Sequence, residues 1–78
     1  MPVHAFILVQ TEVGRAAGIT EEARSLPGVA EAHELMGSYD VIIKATVDQL
    51  DQLGPMVVHK IQAIPGITRT ITCPVTHT

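Results

Sequence analysis

A four-residue echo constrains this chain more than any other feature. Leu26-Pro27-Gly28-Val29 returns as Ile64-Pro65-Gly66-Ile67, 38 residues further on. Each copy follows a stretch of helical periodicity and precedes a stretch rich in β-branched residues. Proline cannot continue a helix and glycine enters positive φ without steric cost, so each Pro-Gly stops a helix and turns the chain toward a strand. The 78 residues therefore read as two units of about 38 residues, each strand–helix–turn–strand, making one domain over residues 1–78.

The elements follow from local pattern. Val3 to Thr11 is a strand rich in β-branched and aromatic residues. From Gly14 to Ser25 the residues Ala16, Ile19, Ala23 and Leu26 recur at helical spacing and mark one buried face. Val29 to Met36 is a weaker strand and Asp40 to Val47 a strong one, with Gly37-Ser38-Tyr39 short enough to join them as a hairpin. A second helix spans about Asp48 to Ala63, with Asp48 as its N-cap and Leu50, Leu53, Val57, Ile61 and Ile64 buried. Gly54-Pro55 interrupts it and predicts a kink or a fresh helix start, with Pro55 in the first turn. Ile67 to Val75 is the last strand.

Two βαβ halves joined by a hairpin define an α+β, ferredoxin-like βαββαβ fold with antiparallel sheet order 4-1-3-2. That order demands apolar strands at positions 1 and 3. Ala5-Phe6-Ile7-Leu8-Val9 and Val41-Ile42-Ile43 meet the demand, whereas strands 2 and 4 carry the charges and threonines. Helices cover one face of such a sheet. The other face presents either Phe6 and Leu8 or Ala5, Ile7 and Val9, and a second copy packed sheet to sheet, as in a dimeric α+β barrel, is the simple way to cover it.

Composition argues the same way. A domain this short buries only roughly 60–65% of its unfolded surface, and small domains offset that with disulfides, metal or association. Cys73 is the only cysteine, so no internal disulfide forms. Hydrophobic residues make up 46% of the chain against 17% charged, an excess that self-association hides. The formal charge is −3 and the five Lys and Arg are scattered, which leaves no basic stripe for phosphates. The start of the chain lacks a signal-peptide pattern, and the longest apolar run, Ala5 to Val9, is too short to cross a bilayer. A cytoplasmic protein without direct nucleic-acid or membrane contact is expected.

Signs of catalysis or metal binding are weak. His4, His33, His59 and His77 show no paired spacing, Cys73 has no CxxC partner, and the tetrahedral set that zinc needs is missing. These histidines read as surface or edge-strand residues and Cys73 as a small buried hydrophobe. No GxSxG, GxxxxGK[ST] or HExxH occurs. Phe6 and Tyr39 are the only aromatic residues, too few for a base-stacking sheet. No cofactor and no metal are expected.

One polar cluster remains, Gly37-Ser38-Tyr39-Asp40 at the hairpin. Glycine lets backbone N–H groups approach a carboxylate, Ser38 adds a donor, Asp40 accepts from an ammonium, and Tyr39 can close over a ligand. The same four residues also suit a plain turn. On the residues alone both readings stand.

The order of these motifs is more telling than any one of them. Leu-Pro-Gly-Val, then Gly37-Ser38-Tyr39-Asp40 and an apolar strand, then Asp48 and Leu50, then Ile-Pro-Gly-Ile-Thr-Arg-Thr, resembles the effector-binding (RAM) domain of the Lrp/AsnC family from Val3 to Val75. The resemblance implies a ferredoxin-like fold, dimers through facing sheets, and rings of dimers. It also implies amino-acid effectors bound at the contacts between dimers, beside the hairpin that joins the second and third strands. Family members carry a helix-turn-helix before this domain. This chain starts at the first strand, which reads as a stand-alone effector domain able to join full-length relatives in mixed assemblies.

Two further readings compete with an amino-acid-binding, self-associating regulator of amino acid metabolism or transcription. In the preferred one, Asp40 takes the ammonium, the Gly37 and Ser38 backbone takes the carboxylate, Tyr39 closes the site, and Thr70 and Thr72 line the neighbouring wall. The alternative is a small ferredoxin-like dimeric enzyme, a cofactor-free monooxygenase or isomerase, with His4 or His33 as base. The third is an assembly partner whose hairpin holds nothing.

Overall fold

Alternation along β1 (Val3–Thr11) decides which side of the sheet is covered. In the computed structural model, which describes residues 2–75, Ala5, Ile7 and Val9 are fully buried while Phe6 is exposed and Leu8 half-buried. The neighbouring strand β3 (Val41–Val47) repeats the pattern, burying Val41, Ile43, Ala45 and Val47. The two run antiparallel, with Ile7 opposite Ile43 and Val9 opposite Val41, so their buried sets share one face. Strands β2 (Val29–Glu34) and β4 (Ile67–Pro74) flank them in the order β2-β3-β1-β4, every neighbour antiparallel. This is the ferredoxin-like arrangement that the two strand–helix–strand halves demand.

The helices supply the rest of the core. In α1 (Ala16–Arg24) the residues Ile19, Thr20 and Ala23 are buried, and the Thr20 hydroxyl donates to the Ala16 carbonyl at 2.8 Å, so its burial leaves no polar atom unpaired. Arg24 ties this helix to β2 by donating from Nε to the Ala32 carbonyl at 3.0 Å. The second helical run is broken. A 3₁₀ turn at Leu50–Gln52 leads into a π-helical turn at Gly54–Val58 and then α2 (His59–Gln62). Pro55 sits where the expected fresh start falls, in a first turn that needs no N–H from it.

All of the largest fully buried side chains among the described residues belong to β1, β3 and the helices: Ile7, Val9, Ile19, Val41, Ile43, Val57 and Ile61. Each is worth about 1.5–3 kcal/mol of burial, so the centre of the sheet and the helices hold the fold. The buried positions also obey the 38-residue echo. Ala5 and Ile43, Val9 and Val47, Ile19 and Val57, and Ala23 and Ile61 are matched pairs, all buried.

The structure corrects several details. The N-cap of the second run is Gln49, whose N–H donates to the Gln52 side-chain oxygen at 3.0 Å, and not Asp48. Leu50 is 59% exposed, because the 3₁₀ turn swings it off the buried stripe that Leu53, Val57, Ile61 and Ile64 keep. Cys73 is exposed: it pairs with Phe6 across β1 and so lies on the uncovered face. Strand β2 ends at Glu34, and the connection to β3 closes where the Leu35 N–H donates to the Asp40 carbonyl at 2.8 Å.

That uncovered face carries Phe6 and Leu8 of β1, Ile42 of β3, and Ile71 and Cys73 of β4, side by side by register. His4, partly buried there, bonds through Nδ1 to the Thr46 hydroxyl at 3.0 Å. At its β2 edge Glu31 pairs with His33 at 3.2 Å and Lys44 at 3.9 Å. His59 is exposed, and His77 lies outside the described residues. At the far end of β1 the two ends of the domain meet, the Val75 N–H donating to the His4 carbonyl at 2.8 Å.

Candidate ligand-binding cleft

Where β1 ends and α1 begins, the chain turns outward around an open cleft of about 460 Å³. This size is within the range of small-molecule sites. One wall is the β1–α1 loop, Thr11 to Gly14, continued by Ala16 and Ala17 of the helix start. The opposite wall is Glu34 at the end of β2 and Asp40 just before β3. Gly14 takes φ +82, a left-handed conformation that lets the loop leave the strand and enter the helix within a few residues.

Asp40 is the best-anchored side chain of the cleft. Its Oδ2 accepts the Thr11 N–H at 2.8 Å, its own N–H donates to the Val9 carbonyl at 2.9 Å, and its carbonyl accepts from Leu35. Three bonds fix one residue between the hairpin and the end of β1. Ser38 is exposed and contributes its carbonyl, which accepts from Gln10 Nε2 at 3.0 Å. Gly37 stands at the exposed tip with φ +145 and open space where a side chain would be, so conformation and not crowding requires glycine there. Tyr39 is partly buried.

The structure thus brings Asp40 to the cleft and places Gly37, Ser38 and Tyr39 on the hairpin that carries it. Thr70 and Thr72 lie elsewhere. They pair with Val9 and Ile7 from the β4 side of β1, the opposite flank from Asp40. The Thr70 hydroxyl accepts from Gln62 Nε2 at 3.0 Å and borders a separate hollow of about 200 Å³ beside α2. Within one copy they do not reach the cleft.

The sequence reading missed the β1–α1 loop and Glu34. A signal was present, since Glu12-Val13-Gly14 follows the strand with a fully exposed valine and a turn glycine. Chemically the cleft offers two opposite functions. Asp40, Glu34 and Glu12 accept hydrogen bonds from a cation. The N–H groups that open a helix have no acceptor within it, and α1 opens on the cleft wall. Among the described residues, no group of three His, Cys, Asp or Glu is placed to hold a metal ion.

The fold is that of a ferredoxin-like α+β domain with an open cleft at one end of its sheet. The family model of the Lrp/AsnC ligand binding domain matches residues 4–78, and the chain belongs to that family. An uncharacterised HTH-type transcriptional regulator of Pyrococcus furiosus is 29% identical over 73 residues, covering 87% of this chain and 47% of the relative. The chain therefore spans about half the length of such curated relatives.

Among solved structures, a protein of Thermus thermophilus superposes with a TM-score of 0.90 at 26% identity, over 97% of this chain and 95% of the other. AsnC of E. coli gives 0.87 at 28% identity, over 97% of this chain and 52% of that one. A transcriptional regulator of Neisseria meningitidis, solved as a complex with L-Met, shares the fold at 19% identity and a TM-score of 0.80, over 96% of this chain and 50% of its own. No helix among the described residues is long and apolar enough to cross a membrane.

Proposed function

We propose that this domain binds an amino acid in the cleft between the β1–α1 loop and the β2–β3 hairpin and self-associates through its open sheet face. It serves as an effector module in the regulation of amino acid metabolism or transcription. The observation that carries this reading is Asp40, a carboxylate fixed on the cleft wall by the Thr11 N–H, in a chain of the Lrp/AsnC ligand binding domain family. The L-Met complex of the Neisseria regulator supports an amino acid as the ligand class.

In this reading Asp40 receives the ammonium, and the Gly37 and Ser38 backbone, together with the opening N–H groups of α1, receives the carboxylate. Tyr39 covers the ligand. Thr70 and Thr72 take part only from a neighbouring copy. Partners are further copies of this chain or longer family members, and a net charge of −3 without a basic stripe disfavours direct DNA contact. The regulators among the relatives favour binding over catalysis and a cytoplasmic setting.

A thermal-shift screen against the twenty L-amino acids tests it. A ligand at about 100 times its dissociation constant adds about 2.7 kcal/mol, a midpoint rise of about 10 °C or more for a domain this small. If no amino acid moves the midpoint at millimolar concentration, the reading fails.

A further inference from the structure

We propose that Arg15 is a positioning residue for the cleft, holding the β1–α1 wall in place by lying across the α2–β4 turn. The proposal rests on the ligand cleft read above but makes a separate demand on the empty protein.

The 38-residue echo supplies the first observation. Arg15 corresponds to Leu53, since Gly28 corresponds to Gly66. Leu53 is 5% exposed and packs in the core. The matching position beside the cleft is instead an exposed arginine, so the half that builds the cleft wall has exchanged an apolar anchor for a polar one.

The geometry shows what that arginine does. Its Nη2 donates to the Pro65 carbonyl at 3.1 Å. At the other end of the same loop, the Glu12 N–H donates to the Gly66 carbonyl at 2.8 Å. The loop is therefore pinned at both ends to one turn. Between the two bonds the Arg15 side chain lies against Gly66: a Cβ at residue 66 would fall 2.8 Å from Nε and 3.1 Å from Cγ of Arg15. Gly66 holds φ +99, so its conformation disfavours a side chain, and one placed there would push the arginine aside.

The residues that line the cleft, Thr11 to Gly14 and then Ala16 and Ala17, lie on either side of Arg15, while Arg15 itself points at Pro65. Arg15 therefore acts on a ligand only through the loop.

The experiment compares wild type with Arg15→Ala and Arg15→Lys by amide hydrogen exchange on the ligand-free protein. Calorimetric titration follows, with whichever of the twenty L-amino acids gives the largest thermal shift. Arg15→Ala should speed exchange of the Glu12 amide and leave the amides of β3 unchanged. It should also weaken binding about tenfold, the size of one lost charge-assisted hydrogen bond. Arg15→Lys, whose ammonium still reaches a carbonyl but cannot lie flat, should recover part of both effects.

A Gly66→Ala variant should reproduce the loosened loop, and adding Arg15→Ala to it should cost little more. Unchanged Glu12 exchange in Arg15→Ala overturns the proposal, as does faster exchange with undiminished affinity. If no amino acid binds even the wild type, the proposed ligand class fails, and the exchange data alone decide whether Arg15 sets the wall.

Discussion

The backbone N–H of Thr11 and the Oδ2 of Asp40 meet at 2.8 Å, joining the last residue of β1 to the residue just before β3. The same carboxylate therefore stands in both the architecture and the proposed chemistry, and the two roles separate by substitution. Asp40→Asn keeps a side-chain oxygen for Thr11 but removes the charge. It should leave the melting midpoint within a few degrees and weaken amino-acid binding roughly ten- to a hundredfold. Asp40→Ala removes both and should destabilise by about 1–3 kcal/mol as well. Calorimetry with circular dichroism measures both. Equal binding by Asp40→Asn and wild type would place the ammonium anchor elsewhere.

The open sheet face should drive assembly. Leu8 lies on that face, beside Ile42 and Ile71, and Ile43 lies on the other, under the helices. Leu8→Asp should give a folded species of lower mass in sedimentation, while Ile43→Asp should not fold, because it buries an unpaired charge at a cost of several kcal/mol. A wild-type chain that sediments as a stable monomer at micromolar concentration would rule the interface out.

Gly28 should tolerate no side chain. Its φ is +89, and a Cβ there would fall 2.9 Å from Val57 Cγ2. Left-handed backbone costs an L-residue about 1–2 kcal/mol and overpacking a further 1–3 kcal/mol. Gly28→Ala should lower the denaturation midpoint accordingly. Shortening the neighbour in a Gly28→Ala, Val57→Ala double variant should relieve part of the loss, which a double-mutant cycle would read.

Duplex DNA should not be retained by this domain in a salt-dependent manner. Its net charge is −3, and Arg15 and Arg24 are held against protein carbonyls. Tight retention at physiological salt in an electrophoretic assay would overturn this expectation.

The fold was legible because its signals are local. The two Pro-Gly turns, the apolar runs of β1 and β3, and the spacing of Ile19, Ala23, Val57 and Ile61 all act within a few residues of themselves. Gly54-Pro55 also announced its break, though not that a π-helical turn would follow. What escaped depends on register or on distance along the chain. Cys73 is exposed because it pairs with Phe6, a relation between residues 67 positions apart. On the hairpin side of the cleft, Asp40 stood out in the sequence and Glu34 did not. The other half, Glu12 to Ala17, becomes a wall only when Asp40 bonds to Thr11 across the sheet, and no periodicity encodes that meeting.

The bond between the Val75 N–H and the His4 carbonyl has a bearing on modularity. Both ends of the domain leave side by side, at the end of the sheet opposite Thr11 and Asp40. Seven steps of β1, His4 to Thr11, at roughly 3.3 Å each separate that exit from the cleft by about 23 Å. The fold is therefore a cassette that a longer polypeptide can carry at either flank or as an insertion, without strain on its termini. Anything so attached joins the domain a full strand's length from the cleft. In the proposed reading, occupancy of the cleft would reach it through the sheet or through the stacking of neighbouring copies.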